Sequence, residues 1–190
     1  MPTNQTSDNH ICQQLQQWVE QIIIRHNFCP FAKREFVKGS IRYTVDHAQD
    51  IEACLHKLID ECIYLDEHED TETTLIIFPD AVPVFDDFLD LVEMAEILLV
   101  EQGYEGTYQI ANFHPDYIFS DSTADDPANY TNRTPWPVLH LLRSERMAKV
   151  LEGYPHPEKI PDTNIKLARQ LGLETMQKKL RACKEIKSEK

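Results

Sequence analysis

Residues 112 to 143, NFHPDYIFSDSTADDPANYTNRTPWPVLHLLR, concentrate the side chains able to do chemistry. His114, Asp116, Asp126, Asn129, Asn132, Arg133, His140 and Arg143 lie there between two apolar segments, with Asp121 and Asp125 among them. A plain turn needs far fewer residues. Several chemistries are open to the set. Arg133 and Arg143 can hold a phosphate or carboxylate in a fork of guanidinium N–H groups, with Asn129 and Asn132 donating further bonds. His114 or His140, oriented by Asp116 or Asp126, forms an ordinary acid–base pair. Cys29, or a hydroxyl of Thr131 or Thr134, can act as nucleophile beside such a base. His114, Asp116 and His140 also form an alternative metal-ligand set, as in a metal-dependent hydrolase, although the spacing of the two histidines matches no usual zinc pattern. The competing reading is a non-enzymatic interaction module. In it, Asx turns at Asp125, Asp126, Asn129 and Asn132 and arginine–carboxylate pairs order the loop.

Other motifs narrow the choice. There is no P-loop, G-x-G-x-x-G or G-x-S-x-G, and five glycines in the whole chain argue against a nucleotide or dinucleotide cradle. The cofactor is left open, with a metal admitted but not favoured. The segment Cys29-Pro30-Phe31-Ala32 lacks the second cysteine of a dithiol motif. Placed at a helix N-terminus, that lone thiol would ionise more readily.

Against 32 acidic residues stand 19 Lys and Arg, for a net charge of −13. Such a surface repels nucleic-acid backbones and anionic membranes. The charge is uneven. Lys57 is the only Lys or Arg from Asp46 to Glu105, whereas the tail after Asn164 is basic. No apolar run approaches the roughly 18 residues of a membrane span, and the N-terminus lacks the apolar core of a secretion signal. Five cysteines without a CxxC pair suit a reducing cytoplasm. The expected partner is a small anionic molecule, with neither nucleic acid nor membrane, and the oligomeric state is open.

Periodicity places the elements around the polar stretch. Helical spacing of Ile11, Leu15, Trp18 and Ile22 predicts a helix over 8–25. Ser40 to Val45 reads as a short strand, and Asp46 as the cap of a helix from about 47 to 66. The apolar run at 73–78 predicts a strand covered on both faces. A helix follows over 84–101, ended by Gly103. Thr107 to Phe113 reads as the third strand and Tyr117 to Phe119 as a shorter fourth. Pro137 then opens a helix running from Val138 to about Glu152. On it, His140 and Arg143 would share a face, and its N-terminus would offer N–H groups to an anion. Two helices follow, over 164–171 and 174–184.

The segments FCPFAK at 28–33, TTLIIFPD at 73–80, YQIANFHPDYIF at 108–119, DDPANYTNRTPWPVLHLLR at 125–143 and IPDTNI at 160–165 together resemble a bacterial family, the domain-of-unknown-function 1415 family. The resemblance runs from the first helix to about residue 172. Phe28 stands where an aliphatic residue is expected and Trp136 where a tyrosine is. The resemblance implies no activity, ligand or catalytic residue.

The reading is one α/β domain over residues 1–190, with a core of about 8–172 and a basic C-terminal helix over 173–190. A small three- or four-stranded, partly parallel sheet carries packed helices. A ferredoxin-like α+β sandwich is the alternative. The expected function is a polar pocket at the C-terminal end of the third strand that binds a small phosphate or carboxylate metabolite, with histidine–aspartate catalysis as an extension.

Overall fold

The computed structural model describes the backbone of residues 4–186 and the side chains of residues 7–186. Lys187 and Lys190 of the basic tail lie outside the described residues. The elements run α1 (Asn4–Trp18), a π-helical turn that prolongs it (Val19–Ile24), α2 (Ala32–Lys38), β1 (Ile41–Val45), α3 (Ile51–Glu67), β2 (Thr73–Ile77), α4 (Phe85–Glu101), β3 (Tyr108–Phe113), a 3-10 turn (Pro127–Thr131), β4 (Val138–Arg143), α5 (Ser144–Glu152), a second 3-10 turn (Pro157–Lys159), α6 (Ile160–Leu171) and α7 (Leu173–Lys184).

The sheet order is β1-β2-β4-β3. β1 and β2 are parallel, and β4 is antiparallel to both β2 and β3. Three strands therefore run one way, with β4 inserted against them. This is a mixed sheet packed with helices, an α/β arrangement.

Helices cover both faces. On one, α3 and α4 bury Leu58, Leu65, Phe88 and Leu91 against Ile76, Leu139 and Leu141. On the other, α1, its π-helical extension, α6 and α7 pack Leu15, Trp18, Ile22 and Met176 against Leu75, Ile77 and Val138. Burial of large apolar side chains of this kind contributes about 1.5–3 kcal/mol each.

Local chemistry sets the boundaries. The Asp50 carboxylate accepts the Ala53 N–H at 2.9 Å and caps α3. The helix thus begins at Ile51, later than the Asp46 cap implied, while Asp46 accepts the Ala48 N–H at 2.9 Å in the preceding turn. Gly39 ends α2 in the left-handed conformation, at φ 71°. Helix α6 begins at Ile160, a turn before the expected start.

Two expectations are corrected. Tyr117 to Phe119 is loop, and the fourth strand is Val138–Arg143, where the sequence suggested a helix. VLHLLR sits between β2 and β3 with helices over both faces, so both of its alternating sides are largely apolar. A short run of that kind satisfies helical and extended spacing equally. Pro137 precedes a strand, and its carbonyl accepts the Phe78 N–H at 3.0 Å, so no helix N-terminus exists there.

Candidate functional site

Most of the polar stretch is occupied with itself. The fully buried Asn129 accepts from the Phe119 N–H at 3.1 Å and the Ser122 hydroxyl at 2.6 Å, and donates to the Thr123 carbonyl at 2.8 Å. Asn132 donates to the Asn112 carbonyl at 3.2 Å and accepts from the Thr131 hydroxyl at 3.1 Å. Asp126 caps the 3-10 turn through the Ala128 N–H and pairs with Arg169 of α6 at 2.6 Å. The Arg169 guanidinium and the Ala128 N–H hold its carboxyl below the usual range. Arg133 donates to the Tyr117 and Ala124 carbonyls at 2.9 and 3.0 Å. Asp116, Asp121 and Asp125 are exposed.

Arg143 turns toward the opposite helix layer. It donates to the carbonyls of Leu65, His68 and Thr71, at and just beyond the C-terminus of α3. A cation on the last carbonyls of a helix is favoured by their unpaired lone pairs and by the helix dipole. In a strand, residues three apart point to opposite faces. The shared face expected for His140 and Arg143 therefore does not form.

The two histidines are also separated. His114 is fully buried and packs between Phe85 and Phe88 on the α4 side. His140 lies on the other face of the sheet, near Phe113. The alternative metal set of His114, Asp116 and His140 is thus not brought together. Among the described residues, no group of three or more His, Cys, Asp or Glu is placed to hold a metal ion.

His140 lines a cavity of about 470 Å³ between the sheet and the helices α2, α5 and α6. Such a volume suits a small molecule. Its walls are mainly apolar: Phe28 and Phe31 before α2, Leu75 and Phe113 from the sheet, Met147 and Val150 from α5. Cys29, Thr73, Thr131, Asn132 and Asn164 add polar atoms, and the charged residues Glu35, Glu72, Arg143 and Arg146 also border it. Cys29 and His140, far apart in sequence, thus share one cavity. Asn164 also donates to the Phe28 carbonyl at 2.6 Å, tying α6 to the segment before α2.

The mouth has a different character. A groove that shares Glu72, Arg146 and Val150 with the cavity is lined also by Arg34, Lys38, Lys149 and Tyr154. Four cations and one carboxylate face it, in a chain of net charge −13. Arg146 pairs with Glu72 at 2.7 Å, Arg34 with Glu35 at 2.8 Å and Lys149 with Glu145 at 2.6 Å. The Lys149 pair is exposed and weak, so it exchanges readily for a better anion, whereas the Arg146–Glu72 pair is part-buried and Arg146 also donates to the Glu69 carbonyl at 2.9 Å.

Burial dominates the titration of the cavity groups. It pushes the His140 imidazole down to about 4, so the ring is neutral near pH 7. It also raises the Cys29 thiol, despite backbone N–H groups of Phe31 and Ala32 that favour the thiolate. Cys29 does precede a helix, α2, but desolvation outweighs the N–H groups there, contrary to the easier ionisation expected.

Arg146, Lys149 and Thr73 were not among the sequence-derived candidates. Arg146 and Lys149 have helical i,i+3 spacing beside the inward Met147 and Val150, a pattern also shown by any solvated helix face.

A mixed four-stranded sheet between two helix layers, with a cationic groove over an apolar cavity, defines an α/β protein with a ligand-sized pocket. The chain belongs to the family described as protein of unknown function (DUF1415), whose model matches residues 10–178. No curated protein and no solved structure matches the chain. Among the described residues, no helix is long and apolar enough to cross a membrane.

Proposed function

We propose that this protein binds a small amphiphilic anion. The apolar body enters the cavity beside Phe31, Phe113 and Met147, and the carboxylate or phosphate head rests in the groove of Arg34, Lys38, Arg146 and Lys149. The observation that carries this reading is the clustering of four cations at the mouth of an apolar cavity, in a chain with 32 acids and 19 bases. Much of the remaining surface is acidic and, although the tail after Asn164 is basic as well, the groove adjoins the apolar cavity and would steer an anion toward it.

The class of ligand is the small anion expected from the sequence. The residues that hold it differ: Arg133 serves two backbone carbonyls and Arg143 three, whereas Arg146 serves one, that of Glu69, beside its pair with Glu72. His140 is the histidine of the polar stretch that faces the cavity, and any acid–base step falls to it. The free thiols of all five cysteines support a reducing, cytoplasmic setting. The net negative charge weighs against nucleic acid as a partner.

The test is a thermal-shift and calorimetry panel of dodecanoate, dodecanol, dodecyl phosphate and inorganic phosphate. The amphiphilic anions should stabilise the fold, by about 2.7 kcal/mol at a hundred times their Kd. Dodecanol and phosphate alone should do far less. Lys38→Ala with Arg146→Ala should weaken binding of the anions at least tenfold, about 1.4 kcal/mol or more. Absence of stabilisation by either amphiphilic anion would sink the proposal.

A further inference from the structure

His140 of β4 stands opposite Leu75 of β2, with Thr73 at the diagonal position on the same face. The His140 Nε2 lies 2.7 Å from the Thr73 Oγ1. The Thr73 hydroxyl has one proton, and it donates that proton to the Leu141 carbonyl. Toward His140 the hydroxyl oxygen is therefore the acceptor, and Nε2 carries the ring proton. Burial keeps the imidazole neutral, since a charged ring in an apolar wall is disfavoured. The other nitrogen, Nδ1, is then a lone-pair acceptor.

No protein donor meets that nitrogen among the described residues. The hydrogen bond to Thr73 is the ring's own, and Nδ1 is not one of the polar atoms sealed from solvent without a partner. His140 lines the cavity among Phe113, Leu75 and Leu142, and its Nδ1 is neither paired among the described residues nor sealed from solvent, so the cavity is the space from which a ligand donor would reach it. An apolar ligand group pressed against an acceptor leaves it unsatisfied, at a cost of about 1–3 kcal/mol. A ligand with a donor at that depth avoids the penalty and gains a bond.

We infer that the ligand carries a hydrogen-bond donor, a hydroxyl or N–H, on its apolar body, received by His140 Nδ1. The inference rests on the amphiphile reading of the cavity. It narrows the ligand from acids with a plain hydrocarbon body to those hydroxylated or amidated away from the head group. Thr73 is the positioning residue, because its hydroxyl sets which ring nitrogen is left for the ligand.

The experiment is isothermal titration of the full chain with dodecanoate and with its positional hydroxydodecanoate isomers, together with ¹⁵N NMR of the His140 ring. At least one isomer should bind about tenfold more tightly than dodecanoate, the worth of one well-placed hydrogen bond. That ratio should fall close to one in His140→Phe and in His140→Met, either of which serves if the other fails to fold. In the free wild-type protein the NMR should show a neutral ring protonated on Nε2. A ring protonated on Nδ1 overturns the inference without any variant. Dodecanoate and all its isomers binding equally overturns it too, and leaves the amphiphile site standing. Absence of binding by every acid of the series instead removes the amphiphile site itself.

Discussion

His114 donates through Nε2 to the carbonyl of Val82 at 3.2 Å, and Val82 has a φ of +47°. A β-branched residue in the left-handed region is strained and needs outside support. His114 supplies it from the end of β3. Its Nδ1 accepts the Asp116 N–H at 3.1 Å, so both ring nitrogens serve the backbone. The ring packs against Phe85 and Phe88 and is 0% exposed, and burial keeps it neutral by lowering its pKa.

His114→Ala removes the aromatic contacts and leaves the Val82 carbonyl and the Asp116 N–H without partners. The expected cost is about 2–4 kcal/mol, from a cavity and a broken buried bond. Urea unfolding at pH 7.5 measures it. The folded variant should keep its affinity for dodecanoate within about twofold, because a hydrogen bond of about 1 kcal/mol to the ligand is not at stake. A stable variant that has lost binding would move His114 from scaffold to site.

Arg143 makes the same distinction among the arginines. Its guanidinium satisfies the Leu65, His68 and Thr71 carbonyls and lies over the Tyr108 ring, with its Cζ 5.9 Å from the centroid. Arg143→Ala should cost about 2–3 kcal/mol, since several hydrogen bonds from a charged donor are lost together. Arg143→Lys should recover less than half, because a point ammonium cannot span three carbonyls as the planar fork does. Denaturation midpoints give both values. Anion affinity should stay with the wild type in either variant and fall only in Arg146→Ala. The opposite pattern would return the anion to Arg143.

The acid limb of stability should carry the signature of His140. Its native pKa, about 4, lies below the roughly 6.5 of an unfolded histidine. Above pH 6.5 neither state is protonated and the full contribution is present. As the pH falls from 6.5 toward 4, the unfolded chain takes up a proton that the native one refuses, and stability is lost. His114 and His26, also lowered by burial, act with the same sign. His47, raised by its bonds to Asp8 and Asp80, acts oppositely: its contribution is present below the unfolded pKa and is lost as pH rises through the folded one. Comparison with His140→Leu isolates the one residue. The stability advantage of wild type over the variant should shrink by about 2 kcal/mol between pH 7.5 and pH 5. A gap that stays constant across this range would mean that His140 titrates normally.

What could be read from residues alone follows from how many environments a pattern is compatible with. TTLII at 73–77 is apolar on both sides, begins within a short run and ends at Phe78-Pro79, so only a central strand fits it comfortably. VLHLLR has nearly the same character, but Pro137 before it and SERMAKVLE after it prolong a helix-like spacing across a real strand–helix junction at Arg143. The error carried into the site, since the helix would have joined His140 to Arg143 and the strand divides them. The arginines and asparagines of the polar stretch were legible as a cluster, but their partners are backbone carbonyls and N–H groups, which sequence does not display. Cys29 and His140 were both singled out, and only the packing of α2 and β4 around one cavity brings them to the same space. The cations of the mouth come from α2 and α5, separated by more than 100 residues, and individually each resembles a solvated side chain.

Glu61 offers a test of what holds the outer helix layer to the sheet. It lies on α3, is 2% exposed, and meets Lys57 of its own helix at 2.8 Å and Arg42 of β1 at 2.8 and 3.2 Å. Arg42 also stacks over Tyr64, with its Cζ 3.9 Å from the ring centroid. Burial alone would raise the carboxyl, but the hydrogen bonds from Arg42 and Lys57 outweigh it and hold the pKa below the ordinary value. Its stabilising contribution is therefore present above the unfolded pKa and is lost as pH falls through the folded one. Glu61→Ala leaves two partly buried cations facing an apolar layer and should cost about 3–5 kcal/mol. Most of that is the penalty of unpaired charge, so Glu61→Leu combined with Arg42→Met should be far milder, within about 1–2 kcal/mol of wild type, with Lys57 free to turn its ammonium outward. Urea unfolding of the single and double variants decides the matter. If the double variant is as unstable as Glu61→Ala, the ion pair itself, and not relief of stranded charge, stabilises the junction of β1 and α3.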